Sequence, residues 1–305
     1  MDQLAALLDG PRARGAFMLR SILDPPWSLR IQDEAPLTVM VMVRGEAWVV
    51  PDDGDLTRLR PGEVAIVRGP KPYTVADDPA TPPQVVIHPG QRCATIDGET
   101  LYQDLDLGVR TWGNATDGGT VAITCTYHME GEVSRRLLDV LPTLLVQQGD
   151  PLLPLLATEI VKDQPGQGAV LDRLLDLLLI SVLRSWFATH EAPAWYQAQS
   201  DPVVGRAMRM LQNNPAHPWT VASLAAQVGV SRASLARRFT ELVGEPPMAF
   251  LTGWRLALAA DLLREPDMTI GSVARQVGYG SPFALSAAFK RVRGVSPQEH
   301  RAAGR

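Results

Sequence analysis

The chain has 305 residues, 46% of them hydrophobic and 20% charged, with a formal net charge of −4. That length and apolar content suit two or three domains with real cores. Two cysteines, Cys93 and Cys125, exclude a disulfide framework and fit a reducing compartment.

The opening stretch MDQLAALLDGPRARGAF is too short in apolar length for a secretory segment and has no small-residue cleavage site, so a cytoplasmic protein is expected. Residues 17–127 read as β-structure. LTVMVMVRGEAWVV, Leu37 to Val50, is a pair of β-rich runs around Arg44-Gly45. Leu56 to Leu59 and Glu63 to Val67 follow, with turns at Asp52-Asp53-Gly54-Asp55 and Pro61-Gly62, and Gln84 to His88, Leu107 to Trp112 and Thr120 to Tyr127 complete about eight strands. Short strands at this spacing predict a small antiparallel barrel or jelly roll.

The run LRPGEVAIVRGPKPYTV resembles the second half of a cupin, where a Pro-Gly turn enters one strand and a Pro-containing turn leaves it. Metal-holding cupins use a His-x-His, a downstream Glu and a later His. Here no His precedes His88, and Tyr73 stands where the later His is expected, so neither metal nor cofactor is predicted. Trp27, Met40, Met42, Trp48 and Tyr73 are candidate walls of an apolar pocket for a small organic ligand; the alternative is that they fill the interior. His88 and His128 are read as structural. Cys93 and Cys125 read as buried small hydrophobes, with a thiol redox sensor as the sharper alternative.

From Gly131 to His190 the pattern turns helical. Val133 to Gln147 reads as one amphipathic piece interrupted by Pro142, and Gly168 to His190 as a longer helix with Leu171, Leu174, Leu175, Leu178, Leu179, Val182, Leu183 and Trp186 in a broad stripe. Asp172, Arg173, Asp176 and Arg184 leave too few uncharged residues in a row for a membrane span. Leu177 and Ile180 widen the apolar surface, which predicts a symmetric dimer. HEAPAWYQAQSDP, His190 to Pro202, has turn formers and no long apolar period, and its residues 194–201 are read as a linker.

The last third repeats itself. TVASLAAQVGVSRASLARRFTELVGEPP and TIGSVARQVGYGSPFALSAAFKRVRGVSP align from Thr220 with Thr269 to Pro247 with Pro297, after one inserted residue. Each copy reads as helix, tight turn, helix. Thr220 and Ser231 cap the first copy, Gly229 ends its first helix, and Leu235, Phe239, Leu242 and Val243 form the core side of its second. In the second copy Gly278 closes, Ser281-Pro282 starts a helix, and Leu285, Phe289 and Val292 face inward. This is the helix-turn-helix pattern. Pro247 to Arg264 reads as one connecting helix of about 27 Å.

Charge separates these units from an ordinary helical bundle. Residues 201–305 hold 13 Lys/Arg against 7 Asp/Glu, a net of +6, which leaves −10 for residues 1–200. A basic part on an acidic chain points to a polyanion.

Residues 201–305 resemble the DNA-binding domain of the AraC/XylS family of transcriptional regulators, most specifically in VARQVGYGSPFALSAAFKRVRGVSP. Residues 10–200 in turn resemble the cupin-type sensor half of many such regulators. The resemblance implies an α+β multidomain chain. Its parts are a cupin-like antiparallel β-barrel (1–129), a helical dimerisation segment (130–193), a linker (194–201) and an all-α DNA-binding domain (202–305) with helix-turn-helix units at 220–243 and 269–293.

The resemblance places Arg232, Ala233, Ala236 and Arg237 toward bases from the first unit, with Arg237 the best candidate for guanine. Pro282, Phe283, Ser286 and Ala287 face bases from the second. Because Ala287 stands where the family often has a long polar residue, the second unit is expected mainly to anchor phosphates. Expected phosphate contacts are Thr220, Ser231, Arg238, Arg255, Thr269, Ser281, Lys290 and Arg291.

The implied partners are promoter DNA, a second copy of the chain, a small-molecule effector and, if the protein is an activator, RNA polymerase; no membrane is expected. The competing readings are a metal-independent cupin enzyme, for which no nucleophile with its base is seen, and an effector-less architectural DNA binder.

Overall fold

The computed structural model describes residues 17–101, 105–127, 131, 135, 137–190 and 192–303. His128 and part of the expected 133–147 helix lie outside the described residues. Among those described, the chain divides into two compact units, one of residues 17–127 and 138–189, the other of residues 131, 135, 137 and 190–303.

Among the described residues the front unit has thirteen short strands, most of them containing Val, Ile or Thr, residues that fit a pleated surface. One sheet joins β1 (Phe17–Leu23), β3 (Leu37–Arg44), β6 (Glu63–Arg68), β10 (Asp106–Gly108), β11 (Thr111–Gly113), β12 (Thr120–Tyr127) and β13 (Leu144–Gln148), in the order β10-β11-β1-β12-β3-β6-β13. The other joins β2 (Ser28–Ile31), β4 (Ala47–Pro51), β5 (Thr57–Leu59), β7 (Tyr73–Ala76), β8 (Val85–His88) and β9 (Arg92–Thr95), in the order β5-β4-β7-β2-β8-β9. Neither sheet closes on itself or on the other among the described residues. The expected barrel is therefore corrected to a two-sheet arrangement with open edges.

A core fills the space between the sheets: Met40, Met42, Ala65, Val67, Trp112 and Ala122 from the first meet Ala47, Val49, Leu59, Tyr73, Val75 and Ile87 from the second. The first sheet is covered on its other face too. Leu37, Val39 and Val41 alternate with Met40 and Met42, yet all five are buried, as expected of a strand enclosed on both sides. Helices α1 (Leu153–Glu159) and α2 (Gln167–Thr189) supply that cover. The Tyr127 hydroxyl donates to the Leu175 carbonyl of α2 at 2.9 Å. Burial holds the Tyr127 phenol well above the usual tyrosine range, so this bond is made by a neutral group.

Three expectations fail here for stated reasons. Residues 144–147, read as helix, belong to β13, which pairs with β6 from Leu144 opposite Val67 to Gln148 opposite Glu63; an edge strand offered partners that the local pattern does not reveal. Leu107 to Trp112 is two strands, broken where Gly108 and Arg110 take positive φ. Along α2 the inner stripe runs through Leu171, Leu175, Leu178, Leu179, Val182, Leu183 and Phe187, with Leu174 and Trp186 only half-buried.

The C-terminal unit is helical: α3 (Ala194–Ala198), α4 (Val204–Asn213), α5 (Val221–Val228), α6 (Arg232–Val243), α7 (Pro247–Leu262), α8 (Ile270–Gln276), α9 (Pro282–Arg293) and α10 (Pro297–Ala303). The stretch expected to be a linker is part of this core. Ala198 is buried with Val204, Met208 and Phe239, and Trp195 packs against them. Gly205 is needed for that packing, because a Cβ there would stand 2.2 Å from the Gln199 carbonyl oxygen. Among the described residues no helix is long and apolar enough to cross a membrane.

Candidate nucleic-acid interface and ligand cavity

Both repeats fold as helix pairs built on the same local chemistry. Thr220 Oγ1 accepts from Ser223 N (3.0 Å) while Ser223 Oγ accepts from Thr220 N (2.9 Å), a reciprocal cap on α5. Gly229 at φ +76° ends α5, Ser231 Oγ accepts from Ser234 N to start α6, and Gly244 at φ +89° ends it. The second pair repeats this. Thr269 caps α8, Ser281 caps α9 with Pro282 at its first position, and Gly294 ends α9 at φ +76°. The turn glycine Gly278 has φ +83°, and a Cβ there would come within 2.8 Å of the Pro215 carbonyl oxygen.

Each pair has its own core, and α7 serves both. Leu224, Leu235, Phe239, Phe250 and Leu251 pack together, with the Phe239 and Phe250 rings edge to face at 5.7 Å. Leu256, Ala260 and Leu263 pack instead with Val273, Leu285 and Phe289. The first half of α7 thus belongs to one pair and its second half to the other, over sixteen residues or about 24 Å. His300 and Arg301 of α10 close its end, Arg301 Nε donating to the Leu263 carbonyl at 3.0 Å.

What stays outside these cores is a short-sided surface. On α6, Arg232, Ala233 and Arg237 are exposed and Ala236 half-buried. Arg237 is 70% exposed and reaches Glu241 at 3.1 Å, one turn on. On α9, Pro282, Phe283, Ala287, Lys290 and Arg291 are exposed, with Phe283 at 85%, and Ser286 is half-buried. Leu242 and Val292, expected on the core faces, are exposed as well.

Two of the expected phosphate contacts already have partners within the fold. Arg238 binds Asp201, its Nε donating to Oδ2 at 3.0 Å. Arg255 donates to the carbonyls of Pro215 (2.7 Å) and His217 (2.9 Å) and lies 6.0 Å from the centre of the Tyr279 ring. Asp201 was not singled out by sequence. Its Oδ1 accepts from Val203 N and Val204 N at 3.0 and 2.8 Å, which starts α4.

Desolvation raises the Asp201 pKa, but the bonds from Val204, Arg238 and Val203 outweigh it and hold the carboxyl below its ordinary value. Asp201→Ala should therefore cost about 1–2 kcal/mol. The sign follows from the lowered folded-state pKa. The contribution is complete above the unfolded value near ~3.9 and is lost as pH falls through the folded one, which chemical denaturation of wild type and variant from pH 6 to 2.5 would check.

The front unit holds a cavity of about 70 Å³ between its sheets, lined by Trp27, Met40 and Tyr73 together with Leu19, Leu29, Val75, Ile87, Cys93, Trp112 and Thr126, among others. Met42 and Trp48 are not among its walls, which corrects two of the five expected positions. Met42 is packed in the core, and Trp48 alternates with Ala47 and so faces away, 5.8 Å from the Arg58 guanidinium.

Burial also raises the pKa of the Cys93 thiol and, further, that of Cys125. The two are free and stand apart in the fold, Cys93 on the cavity and Cys125 on a strand position alternate to the cavity-lining Thr124 and Thr126. Burial disfavours in both the thiolate form that redox chemistry uses. Tyr73 is likewise held as a neutral phenol, chiefly by burial. Among the described residues no three His, Cys, Asp or Glu side chains group as metal ligands do.

A cupin family profile matches residues 2–188, and a helix-turn-helix domain profile matches residues 224–303. An AraC-like transcription regulator of Streptomyces lividans is 30% identical over 312 residues, covering 99% of this chain and 98% of its own. The chain belongs to the AraC-like transcription regulators with a cupin front half. As an AraC-type regulator it is a DNA-binding protein that controls transcription.

The regulator AlkR of Acinetobacter baylyi is 27% identical over 312 residues, with 99% of both chains covered. Among solved structures, the DNA-binding domain of AdpA in complex with a target DNA is 35% identical, covers 34% of this chain and 93% of its own, and superposes with a TM-score of 0.33. In this AraC-type chain the helix-turn-helix match runs from Leu224, inside α5, to Ala303 in α10, and so spans most of the first helix pair and all of the second.

Proposed function

We propose that the two helix pairs are two DNA-reading heads of one chain, set by α7 in successive major grooves on one side of the duplex. The observation that carries this is the sharing of α7 between two separate cores, each topped by an identically capped, exposed second helix. A spacer of about 24 Å is of the order of one B-DNA turn, ~34 Å, once the widths of the flanking helices are added.

In this reading Arg237 reads guanine, with Arg232, Ala233 and Ala236 at the same groove floor. Pro282, Phe283, Ser286 and Ala287 enter the second groove, where apolar groups touch thymine methyls. Lys290 and Arg291 hold phosphates. Thr220, Ser231, Thr269 and Ser281 sit at helix N-termini beside backbone N–H groups that favour an anion. The front unit binds a small-molecule effector in its cavity and dimerises through the outer face of α1 and α2, where Leu155, Val170 and Leu177 are 44–50% exposed. The protein works in the cytoplasm, as a homodimer on promoter DNA.

Selection of bound fragments from genomic DNA by the full-length protein tests this. Enriched sites should carry two short conserved segments about one helical turn apart. Affinity for them should fall with salt at a log–log slope of about −0.9 per phosphate engaged. Enrichment of no sequence over bulk duplex would overturn the reading, and a single conserved segment would reduce it to one reading head.

A further inference from the structure

Two hydrogen-bond donors on the cavity wall lack a partner among the described residues. Trp27 and Trp112 both line it and are only 3% and 6% exposed, and neither indole Nε1–H has a partner among the described residues. They come from one neighbourhood of the fold: Trp27 follows the end of β1 by four residues, and Ser21 of β1 is the register partner of Trp112. An indole nitrogen donates and never accepts, so each needs an acceptor supplied by whatever enters. The Thr126 hydroxyl, 2% exposed, is unpartnered as well and can donate in the same way.

The remaining chemistry of the walls narrows the class. Asp33 and Gln91 are engaged with each other, Gln91 Nε2 donating to Asp33 Oδ2 at 2.9 Å, and Asp33 Oδ1 also accepts from Ala35 N. No Lys, Arg or His stands among the lining residues, so an anion would find no counter-charge and would face Asp33. A cation would meet the positive ends of two N–H dipoles, and the Asp33 carboxylate on the wall is already engaged by Gln91 Nε2 and Ala35 N. The rest of the wall is largely apolar, with Leu19, Leu29, Val75 and Ile87 among its members, and favours an apolar body over a polyol.

We infer that the cavity recognises a small uncharged molecule with an apolar body and a hydrogen-bond-accepting oxygen, a ketone or ester, whose oxygen takes the indole N–H of Trp27 and Trp112. This rests on the reading of the cavity as the effector site and adds to it the class of ligand. The space, about 70 Å³, is roughly half the ~150 Å³ apolar cavity that takes benzene. The unbranched Met40 on its wall is the side chain best able to move for a five-membered ring.

The test uses the full chain with labelled tryptophan, the two indole N–H resonances being assigned from Trp27→Phe and Trp112→Phe. It is titrated with cyclopentanone, with the hydrocarbon methylenecyclopentane and with the anion cyclopentanecarboxylate. Cyclopentanone should bind about tenfold more tightly than the hydrocarbon and shift both resonances, and each Phe variant should lose about tenfold for the ketone only. Retained hydrocarbon binding shows that the variants are folded. Equal affinity for ketone and hydrocarbon, tighter binding of the carboxylate, or ketone binding with unmoved indole resonances would overturn the ligand class while leaving an effector cavity in place. Binding of none of the three would overturn both, the two donors then serving only enclosed water.

Discussion

Phe239→Ala should destabilise the first helix pair by about 3–5 kcal/mol and leave the second nearly intact. Phe239 is fully buried and meets Phe250 edge to face at 5.7 Å. Its removal leaves a cavity among Leu224, Leu235 and Leu251, in a helical core that rigid neighbours prevent from collapsing. Phe289 has the same position in the other pair and is equally buried, but packs with Leu256, Ala260, Val273 and Leu285.

Amide exchange resolved by helix should therefore show α5 and α6 losing protection in Phe239→Ala, and α8 and α9 in Phe289→Ala. On DNA the first variant should lose discrimination between sites, and the second should lose mainly affinity. Equal loss of protection in all four helices would show that α7 merges the two cores into one cooperative unit.

Arg237→Ala should weaken binding to the preferred site by about 1–3 kcal/mol and relax selectivity at one or two base pairs. Its neighbours on the exposed face, Ala233 and Ala236, are small, so they let the helix approach a groove floor while Arg237 reaches into it. Its ion pair with Glu241 does not stand in the way. Both side chains are more than half exposed, and such a pair is worth at most about 1 kcal/mol. Glu241→Ala should accordingly leave specific binding unchanged or slightly tighter. Binding isotherms of Arg237→Ala on the selected site and on single-base variants decide the role: equal weakening on every sequence would assign Arg237 to a phosphate.

The helix pairs were legible because their signals are local. Thr220, Ser231, Thr269 and Ser281 cap the turn that follows them, Gly229 and Gly278 supply the left-handed backbone that ends a helix, and the apolar spacing lies within a dozen residues. Most strand positions were legible for the same reason, from alternation and turn residues.

Partnership across the chain was not legible. Arg238 and Arg255 look like free cations until the fold brings Asp201 and the carbonyls of Pro215 and His217 to them, from 37 to 40 residues away. The stretch from Leu144 to Gln147 looks helical until β6 offers its edge. Trp48 looks like a pocket wall until its place in the pleat turns it outward, and Trp112, which sequence did not single out, becomes one.

The repeated helix pairs, their caps and the basic character of the last third follow from neighbours along the chain. That Arg238 and Arg255 find partners within the fold, how the two sheets face each other and that two indole donors share one cavity emerge only from packing. Those outcomes depend on hydrogen-bond partners and packing neighbours far apart in sequence, and no local pattern encodes which distant group arrives.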